Sequence, residues 1–142
     1  MEAKELMIGD KVMVKVLSQI PNTYVLHTWT ANDYSRDIQV KPAPLTPEIL
    51  ERNGFDPETF LTAEWERKVY FKEFPGCVVE PADSGKYIFG TTKYWSKTYS
   101  DGSPIDWGTM YESRIYNLRY VHQLQHALRL FGLDELADNF KV

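Results

Sequence analysis

His122 and His126 stand four residues apart in the stretch from Asn117 to Gly132. That is a little more than one helical turn, so both imidazoles can share a helix face, as in a two-histidine metal site. In zinc proteases a glutamate follows the first histidine and acts as general base. Here Gln123 follows His122, and an amide cannot take up that proton. The remaining histidine, His27, is distant in sequence, while zinc needs three or four ligands. The spacing therefore points first to a solvated helix face shared with Gln125 and Arg129. A metal site at His122 and His126 is the less favoured alternative, and no cofactor is implied.

A second constellation is the run from Lys86 to Tyr99. If its second half is extended, Lys93, Trp95, Lys97 and Tyr99 lie on one side of a strand, with Tyr94 beside them. Lysines interleaved with aromatic rings can neutralise phosphates and stack bases. Residues 68–99 hold five lysines against three acids, a local balance of +2. Cross-strand pairs of lysine and aromatic residues also stabilise ordinary sheet surfaces. A protein partner would use the same aromatic surface, centred on Tyr94 and Trp95.

Other candidates are weaker. Cys77 could be a nucleophile, but no acid–base partner is visible, and Val78 and Val79 beside it suggest a buried strand. Ser84-Gly85-Lys86 lacks the earlier glycine and the following Ser or Thr of a phosphate loop. Asp101 and Asp106 do not supply the ligand count of a calcium loop. The pairs Glu48/Glu51 and Glu64/Glu66 suit solvated faces.

The elements that must position these residues are legible in outline. Val12, Val14 and Val16 alternate with Met13, Lys15 and Leu17, which predicts a strand with one buried face. Tyr24 to Trp29 and Arg36 to Val40 predict two more, with turns at Gly9-Asp10, Ile20 to Thr23 and Asn32 to Ser35. Three short strands joined by tight turns suggest a curved sheet or partial barrel. Lys41 to Thr46 is a stiff, proline-rich connector. Thr46-Pro47-Glu48 starts a short helix, with cap, proline at the first position and acid in the first turn, and Gly54-Phe55 ends it. Asp56-Pro57-Glu58 can start a further helical turn, and residues 60–67 are ambiguous. Strands follow from Lys68 to Phe74, Cys77 to Glu80, Lys86 to Thr91 and Lys93 to Tyr99, then a hairpin signal at Asp101-Gly102 and a last strand from Met110 to Tyr116.

The C-terminal stretch predicts a helix from Leu118 to Phe131. Val121, Leu124, Leu128 and Phe131 form one apolar row; Tyr120, Leu124, Ala127 and Phe131 form another. Asn117 is the expected N-cap and Gly132 the expected left-handed residue after the C-cap. A second short helix, Glu135 to Phe140 behind Asp134, would turn Leu136, Ala137 and Phe140 inward.

Composition bounds the rest. The chain has 142 residues, 43% hydrophobic and 25% charged, enough for one domain with a core. Its net charge of −4 lacks the overall basic footprint of a typical DNA-binding protein. One cysteine excludes an intramolecular disulfide. No apolar run is long enough to span a bilayer, and the first residues have neither a basic nor an apolar signal region. A cytoplasmic protein is expected.

Three segments also carry a resemblance. Leu6-Met-Ile-Gly-Asp-Lys-Val12, the connector Lys41 to Leu50 running to Asn53-Gly54-Phe55, and Tyr120-Val-His-Gln-Leu-Gln125 are similar to a family of short uncharacterised proteins from Bacteroidetes, often associated with prophage or mobile elements. The resemblance covers residues 6–55 and 118–136; residues 60–112 look longer and different. It implies a bacterial, cytoplasmic setting and supplies no catalytic residue. Members often carry Asn where this chain has His126, which speaks against a metal there.

The expected fold class is α+β: a curved antiparallel β-sheet, with a small barrel-like N-terminal part, a short central helix and a C-terminal helix packed on the sheet. One domain is expected over 1–142, with a β-rich part at 1–44, the connector at 41–46 and an α+β remainder at 47–142. The expected function is a small non-enzymatic interaction module with a protein partner or self-association, bound at Lys93, Tyr94, Trp95, Lys97 and Tyr99. Nucleic-acid binding through the same face is the first alternative, disfavoured by net acidity. A metal-dependent enzyme using His122 and His126 is the second. No membrane association is expected.

Overall fold

The computed structural model describes residues 5–16, 23–35, 38–61, 66–72, 76–92 and 111–142. It is an α+β protein with two antiparallel sheets. The chain divides into two compact units, Met1–Leu45 with Tyr120–Val142, and Thr46–Arg119. The C-terminal helices thus belong with the N-terminal strands.

In the first unit, β1 (Lys11–Val16) lies between β2 (Val25–Thr28) and β3 (Ile38–Pro42). The predicted alternation holds: Val12 and Val14 are buried, while Lys11, Met13 and Lys15 are half-exposed. Leu6, Val12, Val14 and Trp29 form a core cluster, with Ile38 and Val40 packed against it. The sheet is open, with β2 and β3 as edges among the described residues, so the barrel-like closure does not form.

The main helix of this unit, α2 (Val121–Leu130), follows a shorter one introduced below, α1. The predicted start at Leu118 is three residues early. The preceding strand runs on to Leu118, and Asn117 is no cap but sits within that strand at φ 65°, a conformation asparagine tolerates better than most residues. Tyr120 is the N-cap instead, and its amide donates to Gln123 Oε1 at 3.1 Å. The Val121 amide donates to the Ala43 carbonyl at 2.9 Å, which satisfies one of the N–H groups a helix start leaves without a partner. The C-terminus closes as predicted. Gly132 adopts φ 77°, its amide donates to Arg129 O at 3.0 Å, and the Leu133 amide reaches Leu128 O at 2.9 Å. The short helix α3 (Asp134–Asp138) follows, with Ala137 and Phe140 buried.

In the second unit, Thr46 caps α1 (Pro47–Arg52) by accepting from the Ile49 amide at 3.3 Å. Gly54, at φ 80°, and Phe55 end it by donating to Glu51 O and Leu50 O, both at 3.1 Å. Five strands then form an antiparallel meander: β4 (Asp56–Leu61), β5 (Glu66–Lys72), β6 (Cys77–Pro81), β7 (Tyr87–Thr92) and β8 (Tyr111–Leu118). Asp56-Pro57-Glu58 therefore opens a strand and not a helical turn. Its proline is tolerated because β4 is an edge strand among the described residues, where a missing N–H need not break the ladder. The central β6 is buried on both faces, with Cys77, Val78 and Val79 all fully covered.

Candidate functional site

The carboxylate of Asp10 organises the polar interior of the first unit. It occupies the turn that brings the chain into β1, where the Asp10 amide donates to Met7 O at 3.0 Å. Oδ2 accepts from the Met7 amide at 2.8 Å and is bonded to His126 Nε2 at 2.5 Å; Oδ1 accepts from Arg129 Nη1 at 2.6 Å. The other Arg129 nitrogen, Nη2, reaches Asp138 Oδ1 at 3.3 Å. The Asp10 side chain is fully buried, whereas His126 retains 30% exposure. Burial pushes the Asp10 carboxyl up, but the hydrogen bonds from His126, Met7 and Arg129, with the charge of His126, outweigh it and hold the group below its ordinary value of 3.8.

Gln125 lies beside this cluster, fully buried. Its Nε2 donates to Gly9 O at 3.0 Å and to Ala137 O at 2.9 Å, while its Oε1 accepts from the Lys11 amide at 2.8 Å. One side chain thus joins the turn before β1, the first residue of β1 and α3. The solvated helix face expected around the two histidines is therefore not what forms. Gln125 and His122 are buried, and His126 and Arg129 point at a buried carboxylate. The apolar stripe of α2 predicts only part of its buried surface, because Asp10 and the backbone of Gly9, Lys11 and Ala137 give the polar face partners.

His122 stacks on Tyr120 with ring centroids 6.0 Å apart and meets His126 edge-on at 5.5 Å. Its Nδ1 is buried with no hydrogen-bond partner among the described residues. Burial pushes its pKa down from 6.5 to about 4; Asp10 opposes the shift and His126 adds to it. His122 is thus neutral at pH 7. Unfolding lets it take up a proton below pH 6.5 that the folded chain refuses until about 4, so stability falls as pH drops through this window, by about 3 kcal/mol in all. Urea melts between pH 7 and 4.5 are expected to show that loss, and His122→Leu to flatten it. Equal slopes for both proteins would refute the assignment.

The two-histidine spacing thus brings His122 and His126 together beside Asp10. No group of three or more His, Cys, Asp or Glu side chains placed to hold a metal occurs among the described residues. Asp33 makes a second, independent pairing: its Oδ2 lies 2.7 Å from His27 Nε2 and accepts from the Thr30 amide at 2.7 Å and the Thr30 hydroxyl at 2.9 Å. Cys77 belongs to the second unit. Burial pushes its thiol up to about 12 against the opposing charge of Lys72, so it stays protonated and inert. Ser84 and Gly85 form the β6–β7 turn, closed by the Ala82 amide donating to Lys86 O at 2.8 Å.

The expected binding residues Lys93, Tyr94, Trp95, Lys97 and Tyr99 lie outside the described residues, as does the hairpin signal at Asp101-Gly102. A surface of the same chemistry occurs elsewhere. The outer face of the three-stranded sheet carries Lys11, Met13 and Lys15 from β1, opposite Val12 and Val14. In register with them stand Thr28 and Leu26 on β2 and Lys41 and Gln39 on β3. Tyr24 joins this face: Lys15 Nζ lies 5.2 Å and Lys41 Nζ 4.3 Å from its ring centroid. Three lysines, a tyrosine and two apolar side chains share the surface, and among the described residues no carboxylate is in register with them. A cavity of about 500 Å³ adjoins it, lined in part by Lys11, Leu26, Thr28 and Lys141 and by Asp138, which also accepts from Arg129. The signal for this face was the alternation of β1 itself, which puts Lys11, Met13 and Lys15 opposite the valines. Pairing with Tyr24 and Lys41 could not be read from a single strand.

No protein-family model, curated protein or solved structure matches the chain.

Proposed function

We propose that the chain is a small, non-enzymatic interaction module whose contact surface is the outer face of the three-stranded sheet, and that this face takes an anionic partner. One observation carries this reading: Lys11, Lys15 and Lys41 project on one face with no carboxylate in register among the described residues, in a chain whose net charge is −4. An acidic protein that segregates three lysines onto one sheet surface presents a local positive potential, which attracts anions at short range even against the overall charge. The buried network supports the same reading. The three hydrogen bonds of Gln125 and the bonds of Asp10 with Met7, His126 and Arg129 are all internal, so these groups hold the fold and leave the sheet surface to meet a partner.

Heparin serves as a generic polyanionic probe. Calorimetric titration at low salt is expected to detect binding that weakens steeply as salt is added. Lys15→Ala with Lys41→Ala should lower the affinity at least ~10-fold, roughly the loss of two charge contacts, while Lys86→Ala in the second unit should leave it unchanged. Absence of binding, or binding indifferent to the double substitution, would remove the proposal.

A further inference from the structure

We infer that the anionic partner of this sheet face is a single-stranded nucleic acid. The inference rests on the anion-binding reading above and adds the ligand class. Lys11 and Lys15 are four residues apart on one strand, a separation of about 13 Å at the rise of a β-strand. Lys41 stands on the neighbouring strand opposite Met13, between them along the face. Charges so spread match a linear polyanion better than one phosphate or one carboxylate.

The apolar members of the face narrow the class. Tyr24 places an aromatic ring beside two ammonium groups, and Met13 and Leu26 form a cross-strand pair next to it, with Leu26 46% exposed. A flat ring within reach of cations meets both parts of a nucleotide: the base stacks on the ring and the phosphate takes the lysines. An acidic peptide would satisfy the lysines but offers no repeating planar group for the ring. A duplex hides the faces of its bases within the stack, so an unpaired strand is required. Stacking would shift one lysine from its place over the ring to the phosphate of the same nucleotide, which keeps that ammonium paired. The adjoining cavity carries Asp138 as well as Lys11 on its lining, so the anion-binding surface is confined to the sheet face itself.

The test is fluorescence anisotropy with a labelled 12-nucleotide oligo(dT), run beside a 12-base-pair duplex, poly-glutamate and heparin. Three phosphate contacts predict a slope of log K against log salt of about −2 for the single strand. Lys15→Gln or Lys41→Gln should each reduce that slope by about 0.7. Tyr24→Ala should weaken binding by about 5- to 100-fold, while Tyr24→Phe, which keeps the ring, should stay within about 3-fold. Circular dichroism of each variant checks that the sheet is retained, and the lysine variants test the face even where Tyr24→Ala perturbs it. Binding of heparin or poly-glutamate without oligo(dT) would overturn the single-strand assignment and leave an anion-binding face. Binding of no probe would overturn both readings. Oligo(dT) binding indifferent to Tyr24, Lys15 and Lys41 would move the site off this face and overturn the inference.

Discussion

Asp10→Ala is expected to cost about 3–5 kcal/mol of stability, because it strips the buried partner from Arg129 and His126 at once. The Arg129 side chain is 14% exposed, so water reaches it poorly once the carboxylate is gone. Asp10→Asn should be nearly as damaging. Its amide keeps the shape, but one of its two polar groups becomes a donor facing the donors of Met7, Arg129 and His126. Urea denaturation of the single variants and of Asp10→Ala with Arg129→Leu gives the coupling directly. The double variant should lose clearly less than the sum of the two single losses, since the first substitution leaves the second side chain with less to lose. Strict additivity would mean that the pair does not act as a unit. The same carboxylate sets an acid limit. Its folded pKa lies below the unfolded one, so its contribution is complete above the ordinary value of 3.8 and is lost as pH falls through the depressed folded value. That loss lies below the His122 window, and the two should appear as successive stages of acid destabilisation.

Gln125→Leu is expected to be as severe, at about 3–6 kcal/mol. Leucine fills nearly the same space, but it leaves Gly9 O, Ala137 O and the Lys11 amide without the partner that Gln125 supplies. Each buried backbone group left unpaired costs about 1–3 kcal/mol. Gln125→Glu separates shape from donor capacity. It keeps an acceptor for Lys11 but brings a charge toward two carbonyls, so it should also destabilise. A melting temperature for Gln125→Leu within about 2 °C of the parent would show that α3 and the turn before β1 are held by apolar packing instead. Because Gln125 is fully buried and internally satisfied, neither variant should change anion binding by the protein that remains folded.

Local patterns in the chain accounted for much of the secondary structure. The valine alternation marked β1, Thr46-Pro47 and Gly54-Phe55 bounded α1, and Gly132 ended α2. Each of these signals is carried by neighbouring residues, through side-chain periodicity, a cap or a positive φ, and needs nothing distant to take effect. Where local signals conflicted with pairing, pairing won. Pro57 opened an edge strand because β5 was there to receive Asp56 to Leu61, and Asn117 stayed in β8 because Leu118 pairs with Tyr87.

The roles of the polar residues were decided by tertiary structure alone. His122, Gln125, His126 and Arg129 recur at intervals that suit a solvated face as well as a buried one. Only the return of α2 to the start of β1, 116 residues earlier for Asp10 and His126, supplies the carboxylate that His126 and Arg129 bind and two of the three backbone groups that Gln125 binds. The basic face arises in the same way. Lys15, Tyr24 and Lys41 belong to separate segments and become neighbours when β1 pairs with β2 on one side and β3 on the other. The sequence by itself therefore determined β1, the bounds of α1 and the end of α2, because the chemistry of those signals is local. Which charges are buried and which are gathered on a surface depends on contacts between distant segments, and only the folded chain decides it.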